Sequence, residues 1–399
     1  MAKEPQIDLS DCMPASPSES DAPDNPESPL RTSRLEDWDS ITDIESAWSD
    51  LVERIASSSI FQTFQWHSCW WKAFGGRYRP FVILCHRDKQ LVGIAPMMIT
   101  RDDDPQSPRH AEIRFIGCTR SADYLDFIID PDAPKALDAV LNEMLGCLSE
   151  VSRIYLSHFP SHFENQRRTL SYFKVHTSKV VVEYEQEAPC RIMGDKQEDL
   201  RVANKSSLRR RYNHFLKLGD LRFHRCRSEV EILEYLRTFF DQHVARRGLT
   251  DSPSRFLDPT ECSFYRTLVH KLFPKGWLRF DIVLFNNHPI AFHFGFEYRN
   301  KFIWYKPTFD VQYWKKSPGE VLIKFLLEDA IEKGLEEFDF TIGSEPFKRR
   351  FSNKIRHNNR LIVFRSLVDY WMYRWKLTPR KKLDCSSSVE APINAATAK

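Results

Sequence analysis

Three stretches of this chain combine residue types that bind anions or move protons. The first is Tyr313-Trp314-Lys315-Lys316-Ser317-Pro318-Gly319-Glu320, with two cations, a hydroxyl and a glycine just ahead of an apolar helical pattern. At a helix N-terminus, unpaired backbone N–H groups and the positive end of the dipole favour phosphate, and glycine lets a ligand approach the backbone. Pro318 suits the first turn, where its missing N–H is not needed. An ordinary helix start with solvated lysines fits the same pattern. The phosphate-binding pattern G-x-x-x-x-G-K-[ST] is absent.

The second stretch is Ile290 to Tyr298. Strand alternation sets Ile290, Phe292, Phe294, Phe296 and Tyr298 on one face, with Ala291, His293, Gly295 and Glu297 on the other. His293 and Glu297, two pleats apart, suit proton transfer. A solvent-facing edge, or a histidine hydrogen-bonded for stability, reads the same way. The third stretch is Asp339-Phe340-Thr341-Ile342-Gly343-Ser344-Glu345-Pro346-Phe347-Lys348. Asp339 lies between two phenylalanines on a strand expected to be central, so its carboxylate must be paired, hydrated or functional. Glu345 and Lys348 fall just past the strand end, where sites in α+β folds form; a scaffolding salt bridge is the structural alternative.

Charge adds a fourth feature. Residues 201–227 hold Arg201, Lys205, Arg209, Arg210, Arg211, Lys217, Arg222, Arg225 and Arg227 against the acid Asp220. Such a run suits an anionic ligand (RNA, a nucleotide or lipid headgroups) or a solvated helix face. Lys348-Arg349-Arg350, Lys354 and Arg356 form a second basic cluster, and His357-Asn358-Asn359 reads as a polar loop. The total charge is only +3, but seven acids against one lysine in the first 30 residues leave +9 on the remainder.

Other chemistries lack their signatures: G-x-S-x-G, H-E-x-x-H and G-x-G-x-x-G do not occur. Nine cysteines, with no C-x-x-C pair, read as small buried hydrophobes in a reducing compartment, so neither a disulfide framework nor a metal is expected. No apolar run reaches the roughly 18–20 residues of a membrane span. The N-terminus has no apolar signal core, and a cytoplasmic location is expected.

The elements that must position these residues repeat an order. Pro80 to His86 and Gln90 to Ile99 read as a hairpin, Ile113 to Ile116 and Tyr124 to Ile129 as further strands. Ala133 to Leu148 reads as a helix and Arg153 to Ser157 as a strand. Later, Trp277 to Phe285, Ile290 to Tyr298 and Phe302 to Thr308 are strands joined by Asn286-Asn287 and Arg299-Asn300 turns. A buried helix from about Glu320 to Lys333 ends at Gly334, and Phe338 to Phe340 is the next strand. Two copies of one α+β unit, joined by a helical connector at about 196–245, are the simplest architecture. The expected organisation is a disordered acidic tail at 1–33, units at 34–190 and 191–372, and a basic then flexible tail at 373–399.

The stretch Tyr-Trp-x-x-Ser-Pro-Gly-Glu-Val-Leu, the helix ending at Gly334, and Phe-Asp-Phe-x-x-Gly-x-Glu-x-x-Lys together resemble GNAT-superfamily acyltransferases of the CelD/BcsL type. That group is associated with cellulose and other exopolysaccharide biosynthesis and is distantly related to Fem-type peptidyltransferases. The resemblance extends to Phe64-Gln65-Trp66, Trp70-Trp71, Leu91 to Pro96, Phe115-Ile116-Gly117, Asp123-Tyr124 and Arg209-Arg210, and covers about residues 40–366. It implies tandem GNAT-like domains, each a mixed, mostly antiparallel sheet flanked by helices. It also implies an acyl-CoA co-substrate, acetyl-CoA first, whose pyrophosphate sits on Lys315, Lys316, Ser317, Pro318, Gly319 and Glu320. The acceptor would be an amine or hydroxyl on a small molecule or saccharide, with polysaccharide-synthesis machinery as a partner. Asp339, Glu345, Glu297 and His293 would be candidates for base or acceptor positioning, Lys348 for holding an anionic acceptor, and Tyr305 for protonating the departing thiolate. The glycine-rich loop Q/R-x-x-G-x-G/A is incomplete here, which keeps the aminoacyl-tRNA donor of Fem-type relatives open. A non-catalytic scaffold on the same fold and a nucleic-acid-binding module are the readings from other classes.

Overall fold

The computed structural model describes residues 28–100 and 111–376. Its strands are β1 (Leu30–Leu35), β2 (Tyr78–Arg87), β3 (Gln90–Thr100), β4 (Glu112–Phe115), β5 (Ile128–Ile129), β6 (Arg153–Pro160) and β7 (Val180–Ile192) in the first half. The second half has β8 (Leu221–Arg225), β9 (Leu278–Phe285), β10 (His288–Tyr298), β11 (Lys301–Phe309), β12 (Glu337–Asp339) and β13 (Lys354–Phe364). The expected element order is present in both halves. In each, a strand and helices precede three antiparallel strands, then a helix (Ala136–Gly146 or Pro318–Glu332) crosses to a strand parallel to the last of them. The two hairpin turns of the second half have both central residues at positive φ (Asn286 49°, Asn287 64°; Arg299 52°, Asn300 57°). That geometry matches the right-handed twist of the strands it joins.

The halves are not two separate sheets. One continuous sheet runs β1-β2-β3-β4-β6-β13-β7-β12-β11-β10-β9-β8, with β5 beside β3. β13, the last strand in the chain, pairs with β6 of the first half, and β7 pairs with β12 of the second. The halves thus exchange their final strands, and β7 and β13 form the seam from Lys354–Cys190 to Val363–Val180. The expected boundary at 190/191 falls inside β7. Such a seam makes each half's sheet incomplete without the other.

Several sequence expectations change here. His357-Asn358-Asn359 lies in β13, not a loop; a register shift between Asn358 and Asn359 accommodates the polar residues, and Asn358 is buried. The connector is not wholly helical, since β8 separates the helices Lys196–Ala203 and Ser206–Leu218 from Glu229–Arg247. Strand structure begins at Leu30, ahead of residue 34, because β1 pairs along β2. Of the expected strand Tyr124 to Ile129 only β5 forms. The remainder of the two terminal tails, 1–27 and 377–399, lies outside the described residues.

The sheet faces carry different cores. Phe292, Phe294, Phe296 and Tyr298 join the large core that includes the helices Phe64–Phe74, Glu229–Arg247 and Pro259–Leu272. The opposite face packs under Pro318–Glu332 through Val283, Ala291, Phe302, Trp304, Phe338 and Phe340. Ile290 sits on this second face, contrary to simple alternation, because an irregularity between Pro289 and Ala291 shifts the register. Six of the seven described cysteines are buried and all seven are free thiols. Among the described residues no helix is long and apolar enough to cross a membrane.

Candidate active site

β11 and β12 run parallel for only three pairs, Lys301–Glu337, Phe302–Phe338 and Ile303–Asp339. Beyond them β11 continues to Phe309, while the chain after Asp339 turns away through Thr341 (φ 57°) and Gly343 (φ 131°). A bulge lies beside the split. Ile303 and Lys306 pair with Phe296 and Phe294, so Trp304 and Tyr305 together oppose Gly295. A Cβ at Gly295 would lie 2.2 Å from the His293 ring and 2.4 Å from the Ile303 carbonyl oxygen, and backbone cannot yield cheaply. Gly295→Ala is therefore expected to cost about 1–3 kcal/mol, read by urea unfolding.

Asp339 sits at the divergence and is buried. Its Oδ1 accepts hydrogen bonds from the Tyr124 hydroxyl (2.8 Å) and the Thr341 N–H (2.7 Å). Burial and the neighbouring Glu337 carboxylate push its pKa up to about 6, against the opposing pull of Arg356, Thr341 and Tyr124. Glu337 is itself held by the two terminal guanidinium nitrogens of Arg356, at 2.6 and 3.0 Å. Burial and the Asp339 charge hold the Tyr124 hydroxyl well above its ordinary pKa, so it stays a donor. A carboxylate titrating near 6, positioned by two donors on one oxygen, has the properties of a general base at neutral pH.

Just past Asp339, Thr341 adopts a left-handed conformation unusual for a β-branched residue. Its hydroxyl donates to the Trp304 carbonyl (3.1 Å), bracing the split from within. Lys348 is buried; its Nζ donates to the Ile342 carbonyl (2.6 Å) and lies 3.1 Å from Glu345, whose side chain is half exposed. Gly343 is favoured here by its φ of 131°, a conformation that residues with a Cβ rarely adopt.

At the far end of β11, Pro318–Glu332 begins as expected, with Pro318 in its first turn and Ser317 in the left-handed region. Ser317 places no side-chain cap on the helix. Lys315 and Lys316 are exposed, while Glu320 pairs with Arg350 (2.7 Å). A Cβ at Gly319 meets only Phe309, at an ordinary 3.5 Å.

Residues 203–349 match the family described as an acetyltransferase (GNAT) domain. The fold is GNAT-like. The crystal structure of FemX superposes with a TM-score of 0.59 at 12% identity, covering 85% of this chain and 99% of FemX. The C-terminal domain of an Agrobacterium fabrum protein assigned as a lysylphosphatidylglycerol synthetase aligns at 0.52 and 12%, covering 84% and 96%. A conserved protein of unknown function from Bacteroides thetaiotaomicron aligns at 0.51 and 12%, covering 80% and 97%. At such identities the agreement is one of fold. No curated protein sequence matches the chain.

The GNAT-like fold separates the candidate residues by sheet face. Asp339 shares the face of Ile303 and Tyr305. His293 lies on the other, stacked on Phe302 (5.0 Å) and Trp304 (5.1 Å), with Nδ1 3.6 Å from Asp281. Burial lowers its pKa, against the opposing pull of Asp281. Glu297 pairs with Arg279 and with Lys333 (2.6 Å). Both belong to a network in which Arg279 and Arg225 bind Asp281 and Asp329. The Tyr305 hydroxyl donates to the Ser121 carbonyl.

The first half of the GNAT-like fold supplies residues to the same place that local sequence reading did not assign. The loop carrying Asp123 and Tyr124 is fixed by Asn358, which donates to the Asp123 carbonyl (2.7 Å), and by Ser121, which donates to Glu261 (2.7 Å). The Asp123 carboxyl is pushed up by burial, which Lys306 and Lys348 oppose. Burial likewise depresses Lys306 against the pull of Asp123. Asp123-Tyr124 belongs to the family resemblance, but nothing local in the sequence brings Tyr124 across 215 positions of the chain to Asp339.

The basic run is dispersed. Arg225 belongs to the buried network, Arg222 pairs with Asp220 and Arg201 with Glu198. Lys205 donates to the Arg350 carbonyl (2.5 Å) and Arg211 lies 4.0 Å from Glu320, while Arg209, Arg210 and Lys217 line a groove of about 480 Å³ with Ser206, Asn213 and His214 along Ser206–Leu218.

Proposed function

We propose that the chain is an acyl-CoA-dependent acyltransferase, with acetyl-CoA the first donor to test, acting on an amine or hydroxyl of a small-molecule or saccharide acceptor. The observation that carries this reading is Asp339, a buried carboxylate titrating near 6 at the point where β11 and β12 part. In the proposed reaction the acceptor nitrogen or oxygen attacks the thioester carbonyl and its proton passes to Asp339. The tetrahedral oxyanion rests on backbone N–H groups, the carbon–sulfur bond breaks, and the thiolate leaves. Lys315, Lys316 and the Gly319 N–H at the helix start suit the donor's phosphates. The resemblance to CelD/BcsL-type proteins supports an acceptor in exopolysaccharide or envelope synthesis.

Isothermal titration of the full chain with acetyl-CoA and CoA tests the donor. Gly319→Glu is the control, because position 319 has room for a side chain without disturbing the core. Saturable binding that raises the melting temperature of the wild type, and is lost in Gly319→Glu, is the expected result. No binding by the wild type would reject an acyl-CoA donor. The second reading, an aminoacyl-tRNA donor, is favoured by the groove lined by Arg209, Arg210 and Lys217. It predicts tRNA binding that weakens steeply with salt.

A further inference from the structure

Past β8, the strand at one end of the sheet, the chain turns through Arg227 and Ser228 into the helix Glu229–Arg247. Alternation points His224 and Cys226 to one face of the sheet, the face this helix covers, and Cys226 joins the core there. Glu231 lies in the first turn of the helix, where Ser228 Oγ accepts from its N–H (3.2 Å). Its Oε2 accepts from the Arg227 N–H (2.7 Å), and its Oε1 lies 2.6 Å from His224 Nε2. One ligand atom from each of His224, Cys226 and Glu231 lies within 4.8 Å of the other two, the one such convergence of histidine, cysteine and acid among the described residues. Cys226 is buried, while the His224 and Glu231 side chains keep about a third of their surface open to solvent (34 and 29%).

We propose that His224, Cys226 and Glu231 form a zinc site that ties β8 to the helix Glu229–Arg247. A thiolate and an imidazole select a borderline-soft transition ion over Mg²⁺ or Ca²⁺, and zinc takes nitrogen, sulfur and oxygen in one tetrahedral shell. Bonds of about 2.0–2.3 Å set tetrahedral ligand atoms roughly 3.3–3.7 Å apart, so His224 and Glu231 part by less than about 1 Å to admit the ion. Their partial exposure leaves room for that movement. As the sulfur–zinc bond forms, the Cys226 proton passes to solvent; His224 ligates through Nε2 with its proton on Nδ1. Water enters the fourth position from the open side. The pattern His-x-Cys-x₄-Glu spans a strand end and a helix start, which is why the chain carries the site without C-x-x-C or H-E-x-x-H. The site uses no residue proposed for acyl transfer and does not depend on that reaction.

Titration of the reduced, chelator-treated full chain with Co²⁺ and then Zn²⁺ tests it. Saturable binding of one Co²⁺ per chain is expected, with a thiolate-to-cobalt charge-transfer band in the near ultraviolet that Zn²⁺ abolishes. Zn²⁺ should also raise the melting temperature, since the ion binds the folded arrangement. Cys226→Ser should remove the band. His224→Gln, at a partly exposed position, should melt as the wild type does without metal and bind Zn²⁺ more weakly by roughly a hundredfold, because loss of an outer partner of a ligand alone costs about 10–100-fold. The proposal is overturned if the wild type shows neither the band nor stabilisation by Zn²⁺, the result expected of a plain His224–Glu231 hydrogen bond beside a buried thiol. It is equally overturned if either folded variant binds Zn²⁺ as the wild type does, which would place the ion on another thiol.

Discussion

Asp339→Asn is expected to lower kcat/KM by about 10²–10⁴-fold while leaving the protein folded and more stable at pH 8. The activity loss follows from removing the base; Asn keeps an oxygen for Tyr124 and Thr341 but cannot take the proton. The stability gain follows from the raised pKa. A carboxyl whose folded pKa is about 6 holds its proton more tightly in the folded state than in the unfolded one. Ionisation therefore costs stability above pH 6, and that cost disappears as pH falls through 6 to the unfolded value near 4. At two pKa units the cost is on the order of 3 kcal/mol as an upper figure. Chemical denaturation of wild type and variant from pH 4 to 8 reads this directly: the variant's advantage should be largest at pH 8 and vanish near pH 4. The wild-type rate should fall along an acidic limb centred near pH 6 that no residual activity of the variant follows. Full activity in Asp339→Asn with an intact fold would remove Asp339 as the base.

Asp281→Asn should behave in the opposite way, costing about 3–5 kcal/mol of stability and leaving kcat/KM of the folded fraction within a few-fold. Asp281 is fully buried, accepts from Arg225 (2.9 Å) and Arg279 (3.2 Å), and lies beside His293. Removing its charge leaves the two guanidinium groups sharing Asp329, with Glu297 reaching only Arg279. Burial alone would raise the Asp281 carboxyl, but His293, Arg279 and Arg225 together hold it well below the usual range. Its contribution is therefore fully present above about pH 4 and lost only in stronger acid, so wild type and variant should differ equally at pH 5 and pH 8. Urea unfolding at the two pH values checks this. A large fall in kcat/KM with little loss of stability would assign the His293 side of the sheet to chemistry instead of scaffolding.

These two expectations divide residues that look alike in the sequence. Asp339 between two phenylalanines and His293 between two phenylalanines are both polar positions in apolar strands, and alternation rightly turns each away from its neighbours. What alternation cannot reveal is the register between β11 and β12, which sets Asp339 on the face opposite His293. That register depends on a three-pair parallel contact and on a bulge at Gly295, neither of which has a local pattern.

The chain's own pattern determined the repeated order of strands and helices, the hairpins at Asn286-Asn287 and Arg299-Asn300, and the helix starting near Pro318. Each follows from apolar period, turn residues and propensity within a few neighbours. Only the tertiary structure decided that β7 and β13 change places, since their alternating charges satisfy one another across the seam, as Arg360 does with Glu183 and Glu185. It also brought Tyr124 to Asp339 and enclosed both. The carboxyl's shift toward 6 comes from that enclosure and from Glu337. Residue type supplies the group; desolvation, and the charges that remain near it, supply its reactivity.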